Sequence, residues 1–159
     1  ALVEGAAMGG GAGLVAVCDM AIAVDGTRFA FSEVKLGLIP ATIGPYVVRA
    51  IGPRHATDLF ATGRLFDAAH AEKIGLITEK VADAAALDKA KERITAEVMA
   101  AAPGASAEAI ELVADIVGKP INHDLMEETA KRIAHRRVGA EGQEGVRAFL
   151  DKRKPSWSV

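Results

Sequence analysis

Two features of this sequence carry reactive potential: a glycine cluster, Gly9-Gly10-Gly11, and one carboxylate, Glu33, some twenty residues later in the chain. Glycine lets backbone pass close to another molecule, and the first N–H groups of a helix have no partner inside it, so a glycine-led helix start can face an anion. A carboxylate brought back to that place by the next turn of chain can add or remove a proton beside the developing charge. The pairing therefore describes proton transfer next to a stabilised oxyanion. The plainer readings are that glycines at a strand-helix junction serve turn and packing, and that a lone Glu in an apolar stretch lies on the surface of a short helix.

The composition narrows what such chemistry could serve. At 159 residues the chain is near the size of one domain and long enough to bury a core. Half of it is hydrophobic but only 4% is aromatic, so the core is expected to be built from Ala, Val, Leu and Ile. A formal net charge of −2 offers no electrostatic footprint for nucleic acid or an acidic membrane. One cysteine, Cys18, permits no internal disulfide and points to a reducing compartment, with the cytoplasm as the expected location. The apolar run from Glu4 to Asp19 is too short and too rich in glycine for a membrane span, and no basic segment precedes it as in a signal peptide. The chain opens at Ala1 inside a strand-like stretch, so it reads as the later part of a longer polypeptide. Cys18 and Met8 read as core. His55, His70, His123 and His135 lack metal-ligand spacing, and no metal is expected. Lys131-Arg132 and Arg136-Arg137 read as a solvated helix face.

The scaffold around the glycines and the acid can be read in chain order. Residues 1–4 read as a short buried strand, 5–11 as a glycine-rich turn, 11–18 as a helix, and 19–24 as a strand stopped by Asp25-Gly26. Phe29–Phe31 is expected to pair briefly, Ser32 to cap a short turn carrying Glu33, and Pro40 to end the segment. Two short helices, 43–51 and 53–61, are separated by Gly52-Pro53, and a further helix over 67–73 has Asp67 as its cap and Gly75 as its stop. A strand over 76–81 ends the alternation. Four helices are predicted beyond it, over 87–101, 106–117, 124–137 and 142–153. Within them Ile110, Val113, Ala114 and Val117 share a face, as do Leu125, Thr129 and Ile133, and these faces are expected to pack on something apolar.

Several spaced motifs now carry a resemblance. Ala1-Leu2-Val3-Glu4-Gly5, Met8-Gly9-Gly10-Gly11, Cys18-Asp19, Phe29, Glu33, Leu36-Gly37 and Ile39-Pro40 resemble the central signature of the crotonase family, the enoyl-CoA hydratases and isomerases. Thr62-Gly63, the stretch from Ala68 to Gly75-Leu76, and the run from Glu144 to Lys154 resemble that family's later landmarks in the same order. The resemblance implies an α/β fold, a crotonase-like spiral of strand-strand-helix units over residues 1–82. A helical C-terminal oligomerisation region over 83–159 would come after it, making trimers that often stack into hexamers. It also implies that about the first hundred residues of a usual member precede this chain, among them the first oxyanion-hole amide and much of the coenzyme A adenine pocket.

By the same resemblance the amide of Gly10 matches the second oxyanion donor, and Glu33 matches the second of two catalytic glutamates. The first glutamate has no counterpart, since Gly13 stands at its place. Thioester contacts are implied for Met8, Gly9, Gly10, Gly13, Ser32, Leu38 and Ala41. Phe149 and Lys152 are implied to reach a neighbouring subunit's coenzyme A, at the adenine and at a phosphate. No cofactor is implied beyond the coenzyme A of the substrate. The run from Ser32 to Val48 resembles a bacterial branch labelled methylglutaconyl-CoA hydratase and assigned to leucine breakdown. The implied activity is a hydro-lyase acting on an enoyl-CoA through an enolate, with an isomerase or decarboxylase using one Glu as the alternative. Two readings from other classes stand beside it. One is a nucleotide-binding module, from the loose pattern Gly11-Ala12-Gly13-Leu14-Val15-Ala16 with Asp25 coming early after it; the other is a non-catalytic scaffold, since Gly13 replaces an acid.

Overall fold

The computed structural model describes residues 1–158. The chain forms two compact units, Ala1–Glu92 and Arg93–Val159, and the division falls inside a helix. In the first unit the strands come in pairs separated by a bend. β1 (Leu2–Val3) and β2 (Ala6–Met8) flank Gly5, whose φ of 72° suits glycine and turns the chain from one sheet into another. β3 (Ile22–Val24) and β4 (Arg28–Ala30) repeat the device around Gly26. One sheet has the order β1-β3-β6, all parallel, with β6 at Glu79–Val81. The other has the order β2-β4-β5, with β5 (Phe66–Asp67) antiparallel to β4.

The corner between the sheets is held by Thr27, a fully buried side chain whose hydroxyl donates to the Val3 carbonyl at 3.4 Å. The Arg28 amide donates to the Gly5 carbonyl at 2.9 Å. Helices come after each strand pair: α1 (Gly10–Val17) after β2, and α2 (Gly44–Thr62) after β4. The helix α2 is broken at Gly52 (φ 75°, ψ 162°), with Pro53 starting its second half, so it is the pair of short helices that Gly52-Pro53 predicts. The α3 helix (Ala68–Lys73) begins on Asp67, whose Oδ1 accepts the His70 amide at 2.8 Å.

The structure corrects several expectations for this unit. Residues 6–8 are a strand rather than part of a turn, because their backbone pairs in parallel with residues 28–30. The strand expected over 76–81 narrows to its last three residues; Leu76 and Ile77 are buried as side chains, while the Ala21 carbonyl takes up the Thr78 amide at 2.7 Å. Cys18 and Met8 are exposed rather than core, since both lie at the ends of elements whose buried faces are lined by Ala7, Ala12 and Val15. The core of this unit is aliphatic as expected, with Val3, Ala23, Val47, Ile51 and Leu59 among its members, but a compact aromatic group sits within it. Phe31 meets Phe60 edge-on at 5.3 Å and Phe66 at 5.9 Å, and Phe66 stacks on Phe29 at 5.7 Å.

The second unit is helical. It takes the later part of α4 (Ala84–Ala100), then α5 (Pro103–Ile116), α6 (His123–Val138) and α7 (Ala140–Leu150). The start of α5 has no local side-chain cap; Glu141 of α7 serves instead, its two oxygens accepting the Gly104 and Ala105 amides at 2.9 and 3.0 Å. Arg136 braces the same place, pairing with Glu108 at 2.6 Å and Glu141 at 3.2 Å, while Arg132 pairs with Asp115 at 2.7 Å. Arg132 and Arg136 are thus bridges from α6 to α5, while Lys131, paired with Glu127 on the same helix, and Arg137 are exposed as expected of a solvated face. The Glu108 carboxyl is held below its usual range by the hydrogen bond from Arg136. The apolar faces of α5 and α6 do not find the apolar cover expected of them within this unit: Ile110, Val113, Val117 and Ile133 remain substantially exposed. No described helix is long and apolar enough to cross a membrane.

Candidate active site

Parallel pairing of β2 with β4 decides the geometry. Both strands run the same way, so the segments leaving them emerge at the same end of the sheet: α1 after β2, and the turn carrying Glu33 after β4. Met8 stands opposite Ala30 in the register, and the Gly9 amide donates to the Ala30 carbonyl at 2.9 Å. Glu33 opens a 3-10 turn, Glu33–Leu36, closed by Gly37 at φ 73°, and its carbonyl accepts the Leu38 amide at 3.0 Å. Ser32 occupies the cap position, but its backbone carbonyl, which accepts the Lys35 amide at 3.0 Å, does the holding; its side chain makes no cap bond.

The glycine cluster and the acid are brought together. A Cβ placed on Gly9 would lie 3.3 Å from Glu33 Oε1, so the carboxylate reaches the start of α1. Gly9 has φ 49° and ψ −118°, a conformation open to glycine, and only with it can the strand turn so sharply into the helix. The helix start has no side-chain cap, which leaves the exposed Gly10 amide, at the first helical position, without an intrahelical partner. Glu33 is partly buried, its Oε2 is fully buried, and among the described residues that oxygen has no hydrogen-bond partner. Such an atom is costly to leave unmatched, which marks it as a group waiting for a partner the chain does not supply.

The support beneath the turn was not legible as such in the sequence. Phe31 anchors its lower end in the aromatic group, and Gly63, at φ 55° just past α2, packs so close that a Cβ there would come within 3.1 Å of Val34. Thr62-Gly63 stood out in the sequence as a family landmark, and its physical content is this close approach. Beside the acid the loop exposes Leu36, Leu38 and Ile39, with Ala41 next on the surface. Gly13 stands apart from the other residues predicted to touch substrate. It is buried, and its missing side chain points into Ile43, whose Cγ2 would lie 2.2 Å from a Cβ at that position.

Phe149 and Lys152 belong to the second unit. Phe149 is 81% exposed. Lys152 takes the left-handed conformation (φ 54°) directly after α7, where glycine is the favoured residue. Its amide donates to the Phe149 carbonyl at 3.2 Å and the Arg153 amide to that of Ala148 at 3.0 Å, the paired bonds of a Schellman ending. A clasp that sequence reasoning missed secures this ending. Glu144 accepts from Arg153 at 2.7 and 2.9 Å and from the Ser156 amide at 2.9 Å, and Trp157 lies over Gly145. The arginine is the largest influence holding the Glu144 carboxyl down to about 2, against an ordinary value of 4.5.

A depressed carboxyl contributes stability that is present above its ordinary range and lost as pH falls through its folded value. Emission from Trp157, the one tryptophan in the chain, is therefore expected to hold steady down to about pH 4.5 and to change between there and about pH 2. Glu144→Gln should show the altered emission already at neutral pH; an unchanged spectrum in that variant would mean that the clasp does not hold the indole.

Comparison with known proteins places this arrangement. The family model for enoyl-CoA hydratase/isomerase matches residues 1–159. A structure from Legionella pneumophila, described provisionally as an enoyl-CoA hydratase/isomerase (crotonase), is 48% identical with a TM-score of 0.91, over 96% of this chain and 59% of its own. An enoyl-CoA hydratase from Shewanella pealeana is 41% identical with a TM-score of 0.92, over 98% of this chain and 58% of its own. Enoyl-CoA hydratase AKT6-1 of Alternaria alternata is 34% identical over 97% of this chain and 51% of its own length. The chain spans about 60% of the length of the first curated relatives it matches. With the family's motifs in order and its fold reproduced, the chain belongs to the enoyl-CoA hydratase/isomerase, or crotonase, family.

Proposed function

We propose that this chain carries the catalytic half-site of an enoyl-CoA hydratase acting as a hydro-lyase on an acyl-CoA thioester. The observation that carries the reading is the juxtaposition of the unpartnered, half-buried Glu33 carboxylate with the uncapped start of α1. Adding water across a double bond conjugated to a thioester moves negative charge onto the thioester oxygen. The Gly10 amide is suited to hold it, and one oxyanion donor is worth about 10²–10³ in rate in such sites. Glu33 then moves the proton at the α-carbon, and the exposed Leu36, Leu38 and Ile39 beside it offer an apolar surface to the acyl group. The roles use a carboxylate and backbone amides, so no cofactor is proposed beyond the coenzyme A of the substrate. Loss of absorbance from the conjugated thioester, monitored across a series of straight and branched enoyl-CoAs that includes methylglutaconyl-CoA, tests the reading. Turnover that depends on Glu33 supports it, and absence of hydration across the series overturns it.

A second reading, an isomerase or decarboxylase, is favoured by one observation: Gly13 provides no second carboxylate and no room for one. Such reactions need one proton-transfer group, and the same assay separates them by product. We also propose that the exposed apolar residues of α5 and α6 are covered in a homotrimer or a hexamer, in a cytoplasmic protein.

Lys152 is proposed to meet a phosphate of coenzyme A. A lysine stands where glycine would relieve roughly 1 kcal/mol of backbone strain, which is consistent with a role for its charge. Lys152→Gly is expected to raise stability by about that amount while raising KM for a CoA thioester, leaving kcat largely unchanged, with the KM difference shrinking as salt is added. Equal KM values at low salt would remove Lys152 from the site.

A further inference from the structure

Glu33 is flanked in sequence by two residues that meet the end of α2. Two positions before it, Phe31 meets the Phe60 ring edge-on at 5.3 Å. Directly after it stands Val34, half-buried, whose Cγ2 would lie 3.1 Å from a Cβ on Gly63, with Lys35 Cγ at 3.3 Å. These separations are tighter than ordinary van der Waals contact, so the turn lies as close to the end of α2 as a residue without a side chain allows. The carboxylate itself reaches a different place, the start of α1, where a Cβ on Gly9 would stand 3.3 Å from Oε1. One short turn is thus fitted against two glycines from different elements, its acid at the first and its valine at the second.

How each side is fastened decides which would yield to a side chain at position 63. Gly63 ends α2 at φ 55°, ψ 24°, its amide donating at 2.9 Å to the carbonyl of Leu59, a fully buried residue. Beside it the Thr62 hydroxyl donates to the Asp58 carbonyl at 2.8 Å, and Arg64 pairs with the Asp58 carboxylate. The backbone bonds of the turn run within it, from the Lys35, Gly37 and Leu38 amides to the Ser32, Val34 and Glu33 carbonyls, so it can shift as one piece. The exposed stem of Lys35 can swing aside, but Val34 is branched at Cβ and stiff, and it carries the push into the backbone next to the acid. We infer that Gly63 is a positioning residue for the reaction: its missing side chain sets where Val34 rests, and through Val34 how the Glu33 carboxylate stands at the start of α1. The inference rests on the proposed reading of Glu33.

Kinetics of variants of the intact polypeptide on its best enoyl-CoA test this. Gly63→Ala is expected to lower kcat by roughly 10-fold with KM nearly unchanged, and to lower Tm by roughly 2–8 °C through its left-handed backbone. Starting from Val34→Ala, the same change should cost kcat less than about threefold. Starting from Glu33→Gln, it should cost less than about twofold, since no carboxylate remains to be misplaced. Gly26→Ala carries comparable backbone strain at φ 85°, with nothing within 4 Å of its Cβ among the described residues. It should lower Tm while kcat stays within about twofold of wild type. Should Gly63→Ala fold poorly, Gly63→Asn brings the same Cβ in a residue that accepts positive φ, and the same comparisons apply. A kcat unchanged by the Gly63 substitution, an equal loss with and without Val34, a full further loss on top of Glu33→Gln, or an equal loss in Gly26→Ala would overturn the inference. Failure of the underlying reading looks different: turnover would then survive Glu33→Gln, whatever the Gly63 variants show.

Discussion

Glu33→Gln is expected to lower turnover by about 10²–10⁴ while leaving thioester binding in place. Glutamine has nearly the shape of glutamate, so the 3-10 turn, its Gly37 closure and the Phe31 anchor beneath it lose nothing. The loss is of a group able to accept and return a proton beside the Gly10 amide. The unpartnered Oε2 makes the change mild for the fold, because no existing hydrogen bond depends on it. Steady-state kinetics on the best enoyl-CoA check the expectation, and near-normal turnover in the variant removes Glu33 from the reaction.

Gly9→Ala is expected to come next in size, and to act on stability and activity together. An alanine at φ 49°, ψ −118° stores about 1–3 kcal/mol of backbone strain. Its Cβ would also stand 3.3 Å from Glu33 Oε1, tighter than ordinary contact, so either the carboxylate or the start of α1 must shift. Misplacement of either reacting partner by a fraction of an ångström is costly, and a fall in kcat of roughly 10–100-fold is expected with a lowered Tm. Gly11→Ala is the control, since a Cβ there meets nothing within 4 Å. Equal losses in the two variants would point to general weakening of α1 rather than to the Gly9–Glu33 approach.

Much of this site was legible because its parts are punctuated by residues with few alternatives. Gly5, Gly26, Gly52 and Gly75 all adopt positive φ, and each falls at a boundary that turn chemistry marks in the sequence. Asp67 and Pro53 likewise announce helix starts through local effects that do not depend on the rest of the chain. The strand Ala6–Met8 was missed for the converse reason. Its short Ala-Ala-Met stretch has little strand preference of its own and owes its conformation to pairing with Arg28–Ala30, a partner distant in sequence.

The same distinction runs through the site. Glu33 and the glycine cluster could be paired from their types, but Gly13 could not be separated from its neighbours until Ile43 was seen filling the space before it. Arg132 and Arg136 read as solvated because their partners Asp115 and Glu108 lie on another helix. The Glu144 clasp escaped notice since nothing in Arg153 or Ser156 alone signals that a carboxylate nine or more residues earlier will gather both.

Whether Glu33 works against an enolate held at the start of α1 is decided by α-proton exchange. A short-chain saturated acyl-CoA incubated with the intact polypeptide in deuterated water requires only enolate formation and proton return, and mass spectrometry reads the label. Deuterium is expected at the α-carbon well above the uncatalysed rate, reduced by about 10²-fold or more in Glu33→Gln. Exchange no faster than background, or exchange that is the same in Glu33→Gln as in the wild type, would contradict this role for Glu33.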